Sequence, residues 1–460
     1  MYKFKLICLL IFAYYPVYAQ EILTLEKCKE LALQNNAKSQ NSQLSLAAAE
    51  QVKKEAFTKY FPSLSAVGFG FTANKPMISM ELDVSTMMQP MMEALTPAMM
   101  WMMEQGAPLD PTAFNAGPQK IEMLKNGLIA GVMVTQPVFA GGQIITGNKL
   151  AQLGVEVTQL QKTLSDDELL ITVELYYWQI LALEEKTKTL IEAENLLYRI
   201  HTDVQNAMDA GLVNRNDLLK VELKQNELAS GKLKLENGLQ LTKMVLAQFI
   251  GLSHKDFNVD KSLVENVTLL VDTQVDHQSA LLQRAEYQLL NKNVKANELQ
   301  VRLEIGKQLP TVAIGAGWNY FSFDRNRQMP MKNDFGMVFA TVSVPITDWW
   351  GGSHAIKKQK LQVKMAENDK RNAEELLLIQ MLQLQNELQE AVQQVHLADK
   401  AIESALENVR LNTDYYEAGT GLLTDLLTAQ SALQQTRDQH TEAITDFYMK
   451  LARYRQATGW

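Results

Sequence analysis

Ala210-Gly211-Leu212-Val213-Asn214-Arg215-Asn216-Asp217-Leu218-Leu219 is answered by Ala418-Gly419-Thr420-Gly421-Leu422-Leu423-Thr424-Asp425-Leu426-Leu427, a constant 208 positions further along the chain. In each copy a glycine stops one apolar-periodic run. Short polar residues, Asn214 to Asp217 or Thr424-Asp425, then open the next. The stretch reads as a tight helical hairpin made twice. The same offset relates Pro137, followed by Val138-Phe139 and Gly141-Gly142, to Pro345, followed by Ile346 and Gly351-Gly352. Phe61-Pro62-Ser63-Leu64 and Leu309-Pro310-Thr311-Val312 form a third pair offset by 248, so the first copy holds about 40 extra residues. One duplicated unit thus accounts for nearly the whole chain. Residues 1–19 read as a leader, 20–265 as the first copy with an insertion at about 74–126, and 266–460 as the second.

After Gly141-Gly142 the apolar residues fall at Leu150, Leu153, Val157, Leu160 and Leu164, steps of 3, 4, 3 and 4. The second copy repeats the rhythm at Leu377, Met381, Leu384, Leu388, Ala391 and Val395. This is the spacing of a coiled-coil seam. No proline lies between Pro137 and Pro310 or after Pro345, so nothing forces these helices to break. A single helix over Gln143–Asp209 would be roughly 100 Å long at about 1.5 Å per residue. Such a rod belongs to a bundle or a tube.

The prolines border a different texture. From Thr311 to Phe321, Val312, Ile314, Ala316, Trp318 and Tyr320 alternate with Ala313, Gly315, Gly317 and Asn319. Val67, Phe69 and Phe71 alternate with Ala66, Gly68 and Gly70, and Leu128–Val134 and Phe335–Val344 complete four strands. At about 10 residues each, with one apolar and one small or polar face, they suit a membrane-crossing barrel. A half-buried soluble sheet has the same period. Four strands do not close a barrel around water, so a membrane reading requires several chains per barrel.

Bulk properties narrow the class. Lys3 and Lys5, the apolar stretch Leu6–Tyr15 and Val17-Tyr18-Ala19 before Gln20 have the form of a secretory signal. Its removal would leave Cys28 as the one cysteine, hence no intrachain disulfide framework. It would also leave 42 basic against 52 acidic residues, a net charge of −10 that argues against nucleic acid as partner. After the leader no apolar run reaches the 18 residues of a spanning helix. The six histidines are scattered, with no His-Glu-x-x-His pair and no phosphate-cradling glycine loop, so no catalytic centre or cofactor is expected.

Taken in order, Leu23-Thr24-Leu25-Glu26, Ala32-Leu33-Gln34-Asn35-Asn36, Phe61-Pro62-Ser63-Leu64, Gln136-Pro137-Val138-Phe139 with Gly141-Gly142, Tyr176-Tyr177 and the two glycine turns resemble the outer-membrane efflux protein family. These are the TolC-like channels of Gram-negative bacteria. The resemblance runs from about Leu23 to Gly459 and implies a mainly α fold with a β-barrel portion. Duplicated coiled-coil hairpins would form a periplasmic tunnel, and four strands from each of three chains a 12-stranded barrel. It implies a homotrimer in outer-membrane lipid, the exit duct for an inner-membrane transporter with a periplasmic adaptor on the helical tips. Some members serve type I protein secretion instead. Pro62, Pro137, Pro310 and Pro345 would mark the helix–strand junctions. Gly211, Leu212, Val213, Gly419 and Thr420 would form the docking tips. Asp425 falls on an acidic gate position, with Asp217 its counterpart in the first repeat. Gly421 replaces a gate arginine of well-known members, and Thr428 a second acid. A plainer role for Asp425 is to sit at a helix N-terminus, worth about 0.3–1 kcal/mol.

The insertion is rich in methionine: Met87, Met88, Met91, Met92, Met99, Met100, Met102 and Met103 crowd one stretch. Met87, Met88, Met91, Met92 and Leu95 would share a helical face. Thioethers select Cu(I) and similar soft ions, whereas methionine also makes an adaptable apolar lid. The absence of histidine and cysteine from Met77 to Lys125 favours the lid. A periplasmic adaptor or coiled-coil scaffold is the rival function, separated by whether detergent is needed for extraction.

Overall fold

The computed structural model describes residues 22–106, 119–123, 125–252, 257–262, 269, 275–324 and 331–459. The leader and the boundary near residue 265 lie outside them. The chain divides into two compact units, each drawing segments from both halves of the sequence.

The first unit comprises residues through Lys53, Lys149–Leu299 and Gln359–Trp460 and is built on helices. Strand β1 (Ile22–Leu23) precedes α1 (Leu25–Asn35) and α2 (Ala37–Thr58). Thr24 caps α1, its hydroxyl accepting from the Lys27 N–H. Further on come α4 (Gln143–Asp209), α5 (Arg215–Ile250), β6 (Asn258–Val259), α6 (His277–Gln283) and α7 (Ala285–Lys307). The last two helices are α8 (Asp348–Glu417) and α9 (Leu423–Thr458). Helices α5 and α9 are equal at 36 residues, as a duplication requires. The long α4 has 67 residues, matching the unbroken span expected from its seam.

Of the seam positions, Leu153, Met381, Leu388, Ala391 and Val395 are buried, whereas Leu150, Val157, Leu160, Leu164, Leu377 and Leu384 are half-buried in the single chain. Val173, Tyr177, Trp178 and Ile180 of α4 join Cys28, Leu246 and Ile250 in one core. Trp178 stacks on Tyr448 of α9 with ring centroids 4.0 Å apart and planes 8° from parallel. The Tyr177 hydroxyl donates to the Asp260 carbonyl at 2.9 Å, beside the parallel pairing of β1 with β6. Cys28 is fully buried, and burial together with nearby Glu26 pushes its thiol up to about 12. It is the small apolar core residue its sequence context suggests.

The second unit, Lys54–Asn148 with Gln300–Lys358, carries the strands. β2 (Ser63–Thr72), β5 (Asn126–Ala140), β7 (Thr311–Asp324) and β8 (Met331–Ser343) form an antiparallel sheet in that order. The described residues of the insertion include regular elements. β3 (Ile78–Leu82) pairs with β4 (Gln119–Met123), and α3 (Val84–Glu104) lies between them in the chain. An Ala73 N–H donating to the Lys125 carbonyl at 2.7 Å carries the β2–β5 ladder on toward this hairpin.

Each strand alternates as its sequence predicts, but register redistributes the faces. Phe69 pairs with Ile129, which pairs with Phe321; Val132 pairs with both Ala66 and Trp318. The aromatic side of β2 therefore faces away from the Trp318 side of β7. One sheet face carries Leu64, Val132, Val134, Ile314, Trp318 and Val338, all exposed in the single chain. The other mixes Ser65, Thr135, Gly315 and Thr341 with Met133, Met337 and Phe339 nearest the prolines, then carries Phe69, Phe71, Phe321, Phe323 and Phe335 at the far end. Side chains crowd the glycines of the two faces unequally. On this second face Phe71 and Phe323 close over Gly127, Asn319 over Gly131 and Phe339 over Gly315. On the first face Gly68 has open space. If the sheet closes with its apolar first face toward lipid, the first face is the convex one and the second the concave one.

Candidate functional site

The two hairpin turns have the same backbone. Gly211 and Gly419 both have φ of +73°, a left-handed conformation that favours glycine. The Gly211 N–H donates to the Met208 carbonyl and Leu212 N–H to Ala207, both at 2.9 Å. Gly419 N–H donates to Tyr416 at 3.0 Å and Thr420 N–H to Tyr415 at 2.9 Å. This paired closure satisfies carbonyls that the helix end would otherwise leave open.

The helices after the turns start differently. Asn214 caps α5, its side chain accepting from the Asp217 N–H at 3.2 Å. Thr424 does not play that part in the second copy. Leu422 stands at the cap with no side-chain hydrogen bond, and α9 is placed instead by its buried first-turn residues Leu423 and Leu426. The Gly421 N–H turns back to the Tyr415 carbonyl at 2.9 Å. A Cβ on Gly421 would lie 2.9 Å from the Tyr415 Cβ and 3.1 Å from the Tyr416 nitrogen. The position is closed to a larger residue unless this turn moves.

A single apolar cluster joins the tips. Leu197, Val204, Leu218 and Val221 of the first hairpin bury with Leu423 and Leu426 of the second, with Tyr416 packed against them. Burial, then the carboxylates of Asp217 and Asp203, raise the Tyr416 phenol above its usual range. Asp217 also accepts from Lys220 Nζ at 2.9 Å and is partly buried. Asp425 is exposed in the first turn of α9. Gly211, Leu212, Val213, Gly419 and Thr420 lie at the turns as expected, with Leu212 exposed and Val213 half-buried. Two residues of this site escaped the sequence reading. Tyr416 looks like another helix aromatic until its acidic neighbours are known. Leu422 had a signal, because the 208-residue offset sets an exposed leucine where the first copy has its capping asparagine.

Three of the four prolines lie at helix–strand junctions. Pro62 separates α2 from β2, Pro310 separates α7 from β7, and Pro345 separates β8 from α8. Pro137 lies inside β5, beside a register shift between Pro137 and Phe139. β2 pairs with β5 only as far as Thr135, so the missing N–H costs no bond on that side. The junction itself is Gly141-Gly142, with φ of +59° and +74°.

In α3, Met88, Met92 and Met99 are half-buried, whereas Met91, Met100, Met102 and Met103 are exposed. The side chain of Met87 lies outside the described residues. No helix among the described residues is long and apolar enough to cross a membrane, a statement that leaves strands untouched.

Residues 277–460 match the family model of the outer membrane efflux protein. A sequence comparison with curated proteins gave no match. Among solved structures the fold is similar to the outer membrane protein VceC of Vibrio cholerae, at 14% identity and a TM-score of 0.69, covering 95% of this chain and 96% of that one. It is also similar to the outer membrane channel CmeC of Campylobacter jejuni, at 13% identity and a TM-score of 0.70, covering 95% and 85%. The open state of the MtrE outer membrane channel of Neisseria gonorrhoeae aligns at 13% identity with a TM-score of 0.69, covering 95% and 88%.

Proposed function

We propose that the chain is a member of the outer membrane efflux protein family and that three copies build the exit duct of a tripartite pump, a reading supported by the family match over residues 277–460 and by a fold similar over 95% of the chain to outer-membrane channels. On this reading the protein is an outer-membrane efflux channel, and such channels are generally trimers working with adaptors and inner-membrane transporters.

The observation that carries the trimer is a sheet one chain leaves unfinished. β2 and β8 each pair on one side only and run in opposite directions, so β8 of one copy can continue antiparallel onto β2 of the next. In lipid each unsatisfied backbone group costs several kcal/mol, which an open edge repeats along its length. The convex apolar rows, from Val312 and Val342 to Tyr320 and Ala130, extend about 27 Å along the strands at about 3.4 Å per residue. That is close to the roughly 25 Å apolar band of outer-membrane barrels. Three copies of four strands make a closed barrel of twelve.

The tips form the regulated end. Asp425 repeated around the threefold axis makes a ring of carboxylates that repels itself and attracts cations. Asp217, next to Tyr416, latches the two hairpins of one chain, while Gly421 leaves that latch without an arginine. The turns at Gly211-Leu212-Val213 and Gly419-Thr420 receive the adaptor, with Leu212 as an exposed apolar contact. The methionines of α3 serve apolar packing rather than holding a metal.

Native mass spectrometry of the detergent-purified protein tests the assembly. A dominant species of three chains is expected. Monomers or dimers that still conduct would overturn it.

A further inference from the structure

The sheet carries apolar surface on both faces, and its phenylalanines gather on one of them. Near the prolines the convex face carries Leu64, Val134, Ile314 and Val338. At the far end the convex face becomes mixed, with Gly70, Leu128, Ser322 and Lys332 in one row and Thr72 and Asn126 in the next. There the concave face carries Phe69, Phe71, Phe321, Phe323 and Phe335. Their rings form a chain of contacts at centroid distances of 5.3 to 6.4 Å, yet Phe69 and Phe335 remain 56% and 43% exposed. In a closed barrel the concave face lines the lumen. Lipid does not reach it, and three such clusters facing water would be a large uncovered apolar patch. They need an apolar partner inside the distal mouth.

The chain carries one at that rim. α3 lies in the segment joining the far ends of β2 and β5, where the Ala73–Lys125 hydrogen bond carries their ladder onward. At about 100° per residue, Met88, Met91, Met92, Leu95, Met99 and Met102 fall within one arc of roughly 100°, with Glu93 and Glu104 opposite. Half of that arc is bare: Met91, Leu95 and Met102 are 53%, 46% and 45% exposed. The helix has two acids and no lysine or arginine, so it lacks the basic face with which surface helices hold anionic lipid. Methionine, flexible and polarizable, packs well against aromatic rings.

We propose that in the trimer the three α3 helices fold over the distal mouth and seat their Met/Leu arcs on the concave phenylalanine clusters, forming an apolar lid. This rests on the reading of the chain as a trimeric exit channel. A constriction of this kind closes by shedding water, with no charge to titrate.

Single-channel recording in planar bilayers tests it, using wild type and two full-length variants. One is Met91→Gln, Leu95→Gln and Met102→Gln; the other is Phe69→Ala with Phe335→Ala. All five residues are exposed in the chain, and a three-chain species by native mass spectrometry serves as the folding control for each. Both variants are expected to raise conductance severalfold, and their combination to add nothing further, because each removes one side of the same contact. Unchanged conductance in the α3 variant would overturn the lid and leave the channel standing. So would additive effects, which would place the two clusters in separate barriers. A phenylalanine variant that slows export of apolar compounds at unchanged conductance would make the cluster a substrate surface and also overturn the lid. Absence of conductance from a wild-type trimer would instead remove the channel reading itself.

Discussion

Tyr416, near the end of α8, lies within electrostatic reach of Asp217 in the first turn of α5, which joins the tips of the two hairpins through one half-buried phenol. Burial and the neighbouring carboxylates hold that phenol protonated beyond its ordinary value of 10.0. A raised folded-state value contributes stability that is complete below the unfolded value and is lost as pH rises through the folded one. The tips should therefore loosen above about pH 10, when a phenolate appears beside Asp217 and Asp203. Conductance measured against pH should rise there in wild type, and Tyr416→Phe should lack that rise. The same alkaline step in both proteins would assign it elsewhere.

Gly421 tests the departure from the arginine-bearing gate. A side chain there meets the Tyr415–Tyr416 backbone. Gly421→Ala should cost about 1–3 kcal/mol, the usual range for overpacking, seen as a lower melting temperature. Gly421→Arg should disturb the turn at least as much. A variant with arginine and wild-type stability would show that the turn readily adopts another shape.

The tip leucines separate docking from conduction. Leu212 and Leu422 are 79% and 67% exposed and lie outside the acidic cluster. Leu212→Asp with Leu422→Asp should abolish export in cells carrying the cognate pump while leaving single-channel conductance at the wild-type level. Normal export by this variant would move the adaptor's contact off the apices.

Trp178 anchors the helical core. It is 1% exposed and stacked on Tyr448, so Trp178→Ala should cost about 3–5 kcal/mol, whereas Trp178→Phe, keeping a ring, should cost less. Thermal melting of the purified protein in detergent would read both. Equal losses would mean that the stacked ring contributes little beyond volume.

Much of this architecture is legible in the sequence because it rests on local rules repeated twice. The glycines at 211 and 419 stop helices by a backbone conformation, and the seam through Trp178 advertises itself by its period. Strand alternation is equally local, and all four strands appear where Val67, Leu128, Ile314 and Phe335 alternate. Register is not local. Only pairing across the sheet shows that Phe69 shares a face with Phe321 and not with Trp318. Pro137 misled for a related reason, since its tolerance inside β5 depends on where a neighbouring strand ends. Tyr416 was hidden because its acidic neighbours, Asp203 and Asp217, lie some 200 positions away in sequence.

The central claim is a trimeric duct narrowed at its tips by the acidic ring of Asp425, and single-channel recording of wild type and Asp425→Ala, with and without divalent cations, tests it most directly. Discrete conductance blocked by divalent cations in wild type and unblocked in Asp425→Ala is the predicted result. Protein that is soluble without detergent and gives no conductance would contradict the duct, and equal block of both proteins would contradict the place of Asp425 in it.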